Sequence, residues 1–558
     1  MNTPVAVIGN GPVGQTTALL LARWGVPVVV LDQRPARDLV GSKAICQQRD
    51  VLDIWDAVGA GAQIAAEGVT WTTARTFHRG AELFSFTFAD AGRPAFPPFV
   101  NLSQPRTEEI LDERVAAQPL IDVRWGHRVT GLVQDADGVT LACDNGAEVR
   151  AAYVVACAGA RCAELRDALG VAFEGHSFDD RFLTCDIRAD LPGMRTERHF
   201  HFDPEWNPGR QVLVHPCPDS SFRIDWQVPA NYDLDAETAS DALDRRIRQV
   251  VGDQRYELGW ITVYRFHSRC ADRMRVGRVL LAGDAAHLMS PFGARGLNSG
   301  VADAENAAWK LAFVLNGWAP EELLESYHDE RHAAAQENLE VTTATMDFLV
   351  PQDAAAAKHR REVLERAATD PDAQALVNSG RLSEPFWYVD SPLTTPNERR
   401  PFAGRPRRGA VPEPGPGILT PDAPVRAAPE RQRGGPADVE RQQCHPAGST
   451  GWSPRRFRQL AREGFLLLAA PGADLDAART VAAQRAAPVR VVELAEIDTT
   501  GALAGALSVR DGEVWVLRPD AHIAAVLEHP TPATIEGALH RALADREESG
   551  HGLLPTSR

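Results

Sequence analysis

Residues 279–300, VLLAGDAAHLMSPFGARGLNSG, decide how the chain is read. Val279–Ala282 is a short apolar run of the kind that forms a buried strand, and it stops at Gly283-Asp284. A loop with Pro291, Gly293 and Gly296 follows. Beyond it Leu297, Val301, Ala304, Ala308, Leu311, Ala312 and Leu315 recur at three- and four-residue steps, which predicts a helix, and Gly317 stands where such a helix ends. The order is a strand ending in a carboxylate, a loop that lets another molecule approach its backbone, and a helix N-terminus aimed into the same space. Free N–H groups at that end favour negative charge, so an electron-rich ring that becomes anionic on reduction would be stabilised there.

The beginning of the sequence supplies a second anchor. Val5–Ile8 reads as a strand, and Gly9-Asn10-Gly11-Pro12-Val13-Gly14 follows as G-x-G-x-x-G. A helical pattern runs to Gly25, and Val28–Leu31 is a second strand ending at Asp32, with Gln33 next. Asp32 lies eighteen positions past Gly14. In such a unit the first glycine permits the tight turn, the second lets a pyrophosphate reach the backbone, and the third lets helix and sheet pack closely. The acid accepts hydrogen bonds from an adenosine ribose. One extended ligand ties the two anchors together, and FAD fits. Its nucleotide end goes to Gly9, Gly11, Pro12, Val13, Gly14, Asp32 and Gln33, and its ribityl chain to Gly283 and Asp284. Its ring lies against Pro291, Gly296, Leu297 and Asn298.

Gly283–His287, Pro291-Phe292-Gly293 and Gly296–Gly300 resemble the second FAD motif of the flavin-dependent aromatic hydroxylases (class A), single-component monooxygenases with the hydroxybenzoate hydroxylase fold. The resemblance continues through Ala302-Asp303-Ala304, Trp309–Ala312 and Tyr327 to Glu330-Arg331, and covers about residues 3–400. Within the group the sequence is most similar to the phenol hydroxylase and 3-(3-hydroxyphenyl)propionate hydroxylase branch. The fold implied is α/β: a Rossmann-like FAD-binding domain with an inserted, mostly antiparallel substrate sheet, plus a C-terminal thioredoxin-like α/β domain. The boundaries expected are 1–170 and 274–399 for the FAD domain, 171–273 for the substrate sheet, 400–450 for a Pro-, Gly- and Arg-rich linker, and 451–558 for the last domain.

The resemblance also assigns chemistry. NAD(P)H is the transient reductant, O₂ the oxidant and a small aromatic molecule the substrate. A flavin C4a-hydroperoxide transfers OH⁺ to a carbon ortho or para to a phenolic oxygen. Gln104 matches the family glutamine on the flavin chain, with Arg106 assisting, and a basic residue near Lys43 contacts the FAD phosphates or ribose. Arg223 resembles the arginine opening an R-x-x-x-Q-V strand that helps move the flavin. Three departures stand out. Ala158 replaces the usual aspartate before Gly159, and Ala294-Arg295 replaces a Gly-Gln. Ala470–Ala473 stands where a thioredoxin-like domain carries its cysteines. Arg295 pairs with a substrate acid or sits on the surface. The last domain is then structural or an oligomer contact, with a homodimer as the candidate assembly.

A phenol sheds its proton as it is attacked, so a nearby base helps. Arg223, Tyr264, His267 and Pro291 are the catalytic candidates, with His199, His201, His215 and Arg265 as polar neighbours. Each histidine taken alone is equally readable as a structural residue. His199 and His201 lack the carboxylate or cysteine that would complete a metal site, so no metal is expected. A net charge of −16 argues against nucleic acid as a partner, and no apolar run reaches membrane-spanning length. Eight scattered cysteines without a C-x-x-C pair, and a first strand with no leader before it, point to a cytoplasmic protein with reduced thiols. The competing readings are an FAD-dependent oxidase or dehydrogenase without oxygen insertion, and a non-catalytic FAD-binding protein.

Overall fold

The computed structural model describes residues 3–38, 41, 44–87, 94–406, 412–426 and 454–545. Lys43 and most of the expected linker lie outside the described residues. The chain divides into two compact units, one of Met1–Ala89, Phe96–Leu315 and Tyr327–Phe386, the other of Asp90–Ala95, Asn316–Ser326 and Trp387–Arg558.

The first unit is built on a six-stranded sheet in the order Arg275–Val276, Val279–Leu281, Val154–Ala156, Val5–Ile8, Val28–Asp32, Ile121–Trp125. All pairings are parallel except the first. The central strands are fully buried, which is why they read as unbroken Val/Ile/Leu runs. The two glycine-bearing strands of the sequence reading flank Val154–Ala156, so both loops leave the same edge of a parallel layer. Ile121–Trp125 extends this sheet beside Val28–Asp32. A separate antiparallel meander is formed by Val129–Asp135, Gly138–Cys143 and Glu148–Ala151.

An eight-stranded sheet forms the second layer: His287–Leu288, Tyr256–Ala271, Phe173–Ala189, Ser221–Val228, Gln211–Cys217, Glu197–Phe202, Thr73–His78, Ala81–Thr87. One pairing, Glu197–Phe202 with Thr73–His78, is parallel, and the others are antiparallel. Strict alternation in Phe222–Val228 sorts the two faces. Phe222, Ile224, Trp226 and Val228 join Leu183, Ile187 and Val212 under the helix Ala242–Val251. The opposite face carries Arg223, Asp225 and Gln227, and beside them Phe182, Phe200 and Leu213, packed with Phe292 and Met346.

The helix Arg295–Leu315 runs from the glycine loop along the helix Pro12–Arg23. The Glu325–Leu349 helix is tied to it through two buried charged clusters. In one, Lys310 Nζ and Asn306 Nδ2 each donate to Glu330 Oε2 at 2.7 Å. In the other, the Asp303 carboxylate accepts from Gly283 N–H (2.9 Å) and Arg331 Nε (2.7 Å), with His287 Nε2 at 2.8 Å. Tyr327 is buried and donates its hydroxyl to Leu281 O at 2.6 Å.

In the second unit a four-stranded sheet runs Val489–Glu493, Phe465–Ala469, Glu513–Leu517, Ile523–Glu528, with one parallel and two antiparallel pairings. Leu475–Ala483 and Pro532–Ala542 are its longest helices. The described part of the expected linker is not a bare connector: Ile418, Leu419, Ala423 and Val425 are buried in this unit's core.

Burial alone would raise the Asp303 carboxyl, but Arg331, His287 and the Gly283 N–H bring it down to about 2. Its folded pKa is thus below its unfolded one. The stability it contributes is complete above the unfolded value of about 3.9 and is lost as pH falls through the folded value. Replacing Asp303 by Ala strands a buried guanidinium, which should cost about 3–5 kcal/mol. Urea titrations should show that loss at pH 7 in Asp303→Ala. In Asp303→Asn the acid-induced drop between roughly pH 4 and 2 should shrink, because a group with an unfolded pKa of about 3.9 is gone; an unchanged acid profile would sink the assignment.

Candidate active site

The two glycine loops converge. A Cβ on Gly14 would lie 1.9 Å from Gly9 O, and one on Gly9 (φ +103°) would lie 2.4 Å from Cys157 O, so strand, turn and helix touch backbone to backbone. Val13 then sits against the second anchor: its Cγ2 is 3.1 Å from a Cβ built on Gly283 and 2.7 Å from one built on Gly300. Larger side chains at 14, 283 or 300 would push the loops apart. Gly11 and Gly296 behave differently, since a Cβ there meets nothing within 4 Å. Open space therefore lies over both helix starts.

Those starts suit an anion. Pro12–Arg23 begins after Gly11 with no side-chain cap, and neither it nor Arg295–Leu315 has an acid in its first turn. The first N–H groups are thus left for a ligand. Asn10 is fully buried, and neither polar atom of its side-chain amide has a hydrogen-bond partner among the described residues. The same holds for Gln48 Oε1. Such orphans are costly in a dry interior and mark a place built for another molecule. The residues present fit FAD on these grounds.

The other expected cofactor residues fall around this junction with differing roles. Asp284 is exposed just past the Val279–Leu281 strand. Gln104 opens the helix Gln104–Ala116, where its Oε1 accepts from Ala44 N (3.1 Å) and its Nε2 donates to Glu108. Ser103 caps that helix, its side chain accepting from Arg106 N. Arg106 is turned away and bonded to Glu67 at 2.7 and 3.0 Å, so it does not join the site. Asn298 uses its side chain structurally: Oδ1 accepts from Gln48 N, and Nδ2 donates to Cys46 O and Ala294 O. Ala294 takes a left-handed φ of 57° in this loop. Pro291 is exposed at its start. Arg295 neither lies on the surface nor awaits a substrate acid. It is buried and donates to Asn338 Oδ1, Arg381 O and Leu382 O. Ala158 lies against Gly9, its Cα 3.1 Å from the built Cβ.

Asp32 is held more tightly than the ribose reading assumed. Oδ2 accepts from Asn10 N (2.7 Å) and Arg34 Nη2 (2.9 Å), and Oδ1 from Arg34 N (2.8 Å) and Nε (3.0 Å). A carboxylate offers about four lone-pair sites, so a ribose hydroxyl must displace an Arg34 contact. Burial works to raise the Asp32 pKa, but Arg34 and the two backbone N–H groups outweigh it and leave it lowered.

On the eight-stranded sheet the open face is an ordered polar row. His215 pairs with Arg223, Arg223 with Asp186 and Asp186 with Trp260 across four strands. Arg223 is buried and bidentate to Asp186 at 2.7 and 2.8 Å; burial pulls its pKa down and Asp186 more than restores it. Tyr264 lies two pleats on beside Phe182, and burial pushes its phenol up to about 12. Phe266 stacks on Phe182 at 4.6 Å and meets Phe292 of the Pro291–Gly293 loop edge-on. His267 is the next residue along the strand, so it points to the other face, where Nδ1 is 2.7 Å from Ser177 Oγ. Arg223 and Tyr264 share the sheet face of Phe182, the ring that meets Phe292, and His267 does not. His199 and His201 lie on the far side of their strand from Phe200, with His199 Nε2 3.0 Å from Glu197 and His201 stacked on Phe77. Burial lowers the His201 pKa to about 4. Sequence reasoning missed Asp225 and Asp186; the period-2 pattern that placed Arg223 would also have put Asp225 on its face.

Comparison with known proteins agrees with this geometry. A family model described as an FAD binding domain matches residues 2–342. The 3-(3-hydroxy-phenyl)propionate/3-hydroxycinnamic acid hydroxylase of Mycobacterium sp. (strain JLS) is 30% identical over 403 residues, 72% of this chain and 70% of that protein. The rifampicin monooxygenase of Streptomyces venezuelae is 33% identical over 62% of this chain and 71% of its own. Among solved structures, the aklavinone-11 hydroxylase bound to FAD and aklavinone superposes with a TM-score of 0.73 at 25% identity, over 98% of this chain and 100% of that one. The flavin-dependent monooxygenase PieE shares the fold with a TM-score of 0.81 at 23% identity, over 98% and 100%. With the family model spanning more than half of the sequence, both glycine loops included, and a hydroxylase 30% identical over 72% of it, the chain belongs to the FAD-binding family of flavin-dependent aromatic hydroxylases.

Proposed function

We propose that this flavoprotein monooxygenase hydroxylates an aromatic ring bearing a phenolic hydroxyl, alone or within a polycyclic skeleton, with NAD(P)H and O₂ as co-substrates. The observation that carries the reading is the junction at Val13. It brings together two helix starts without an acid in the first turn, each with open space above its glycine, and the aromatic and polar face of a second sheet packs on the loop through Phe292. When bound, FAD supplies electron storage and oxygen activation. The chain supplies placement. The Pro12 helix start would hold the pyrophosphate, and Asp284 would accept from the ribityl hydroxyls. The N–H groups of Gly296, Leu297 and Asn298 would stabilise negative charge on the pyrimidine edge of the ring. Phe182, Phe266 and Phe292 form a stacked and edge-on wall that keeps water from the reacting carbon. Arg223, fixed by Asp186, and Tyr264 line the same face.

The segments group functionally in this reading as an FAD domain (1–170 and 274–399) and a substrate sheet (171–273). The last domain, 451–558, is thioredoxin-like without redox chemistry. Its mixed four-stranded sheet with flanking helices supports that description, and its sequence contains no cysteine. In this reading the last domain serves structure or self-association.

Gly11 sits at extended φ/ψ with room for a side chain, so Gly11→Val should fold with an unchanged apoprotein melting temperature. The valine would occupy the pyrophosphate's approach and weaken FAD by tenfold or more, about 1.4 kcal/mol, in a flavin-fluorescence titration. Wild-type affinity in that variant would overturn the placement. Asp284→Ala should likewise lose FAD on gel filtration. For the reaction, a panel of phenols and hydroxylated polycycles should raise NAD(P)H consumption, and product formed under isotopically labelled O₂ should carry one labelled oxygen. Consumption without label in any product would favour an oxidase.

A further inference from the structure

The polar row on the substrate sheet has an uneven accessibility. Asp186, Asp225 and His215 keep 27%, 22% and 14% of their side-chain surface, while Arg223 and Arg198 keep 4%. Asp225, His215 and Asp186 share the sheet face that carries Phe182 and Leu213. What that face leaves accessible is carboxylate oxygen, while its guanidiniums are covered. The two carboxylates are not alike. Asp186 is taken up by Arg223 through both oxygens. Asp225 has Oδ1 fixed by the Thr184 hydroxyl at 2.5 Å, while Oδ2 lies 3.8 Å from His215 Nε2, beyond hydrogen-bond range, and has no hydrogen-bond partner among the described residues.

We propose that Asp225 Oδ2 accepts the proton of the substrate's phenolic hydroxyl, with Thr184 as the residue that positions it. The inference rests on this face being the substrate floor. In the step the phenol O–H bond breaks, its proton forms an O–H bond to Oδ2, and the electron pair stays on the phenolate oxygen; nothing is oxidised or reduced. The charge on the oxygen then raises electron density at the ortho and para carbons. The surroundings tune the acceptor. Burial raises the Asp225 pKa above the usual carboxylate range and Asp186 on the neighbouring strand adds to it, against Arg223 on its own strand, Thr184 and Arg198. A base closer to neutrality transfers protons better. His215 is held neutral by burial and by Arg198 and Arg223, so it does not compete for the proton. Cys217, on the adjacent strand, and Tyr264, one strand beyond Phe173–Ala189, are both pushed up to about 12 and remain protonated.

The FAD-loaded full chain is titrated with p-nitrophenol, whose phenolate is coloured, across the pH range of its ionisation. In the wild type, ligand and Asp225 share one proton, so affinity falls as pH rises past the point where both are ionised. Asp225→Asn removes the competing anion and should flatten that fall. With a substrate that the wild type hydroxylates, it should also lower product formed per NAD(P)H by about tenfold or more, in the range of a lost general base. Thr184→Val removes one hydroxyl and should move both readouts the same way by a smaller factor. An unchanged pH profile and unchanged product yield in both variants would overturn the inference while leaving the hydroxylase reading intact. Absence of hydroxylated product from the wild type with every phenol would instead strike the hydroxylase reading, and the pH titration would still decide the role of Asp225.

Discussion

The site depends on one carboxylate with no access to water. Asp303 gathers a backbone N–H from the loop after Val279–Leu281, an imidazole from the short strand His287–Leu288 and a guanidinium from the Glu325–Leu349 helix. Arg331 continues from there to Ser299 O and Oγ at 3.3 Å. A buried charge is tolerated only when its partners are this complete. The arrangement therefore fixes three segments at once, and they are the ones that frame the space above Gly296. Leu281, whose carbonyl takes the Tyr327 hydroxyl, is pinned by the same helix. The glycine loop is held by its neighbours' charges, not by its own side chains.

From that clamp the rest of the pocket follows by contact. Val13 fits only where Gly283 and Gly300 present bare backbone. Phe292 leaves the loop to pack on Phe182 and Phe200, which sets the height of the eight-stranded sheet over the helix start. Ala294 packs with Trp71, Phe99 and Leu382, and Cys217 of the sheet joins that cluster. The polar-faced sheet and the Pro291–Gly296 loop are thus joined by apolar and aromatic packing, and the row His215–Arg223–Asp186 lies on the same sheet face as Phe182.

Much of this was legible in the residues. Unbroken apolar runs ending in Gly9 and Gly283 announced parallel strands with open turns. Period-2 alternation in Phe222–Val228 announced a sheet with one polar face. What escaped was set by pairing across distance. Ile121–Trp125 is a strand of the parallel sheet, and nothing local says that its neighbour is Val28–Asp32. Arg106 and Arg295 looked available because their partners, Glu67 in one case and Asn338 with two carbonyls in the other, are remote in sequence. His267 was misplaced by a single step of the pleat. Residues 412–426 read as linker from their prolines and glycines, yet four apolar side chains among them are core.

The Lys310–Glu330 pair has a consequence for how such a chain changes over time. Both side chains are almost wholly inaccessible, and Asn306 shares the same oxygen. Loss of either charge leaves the other stranded, whereas an apolar couple of equal volume could replace both. Drift at these positions is therefore concerted: position 310 is free to vary only in a lineage where 330 has already begun to yield, so the two helices evolve as one part.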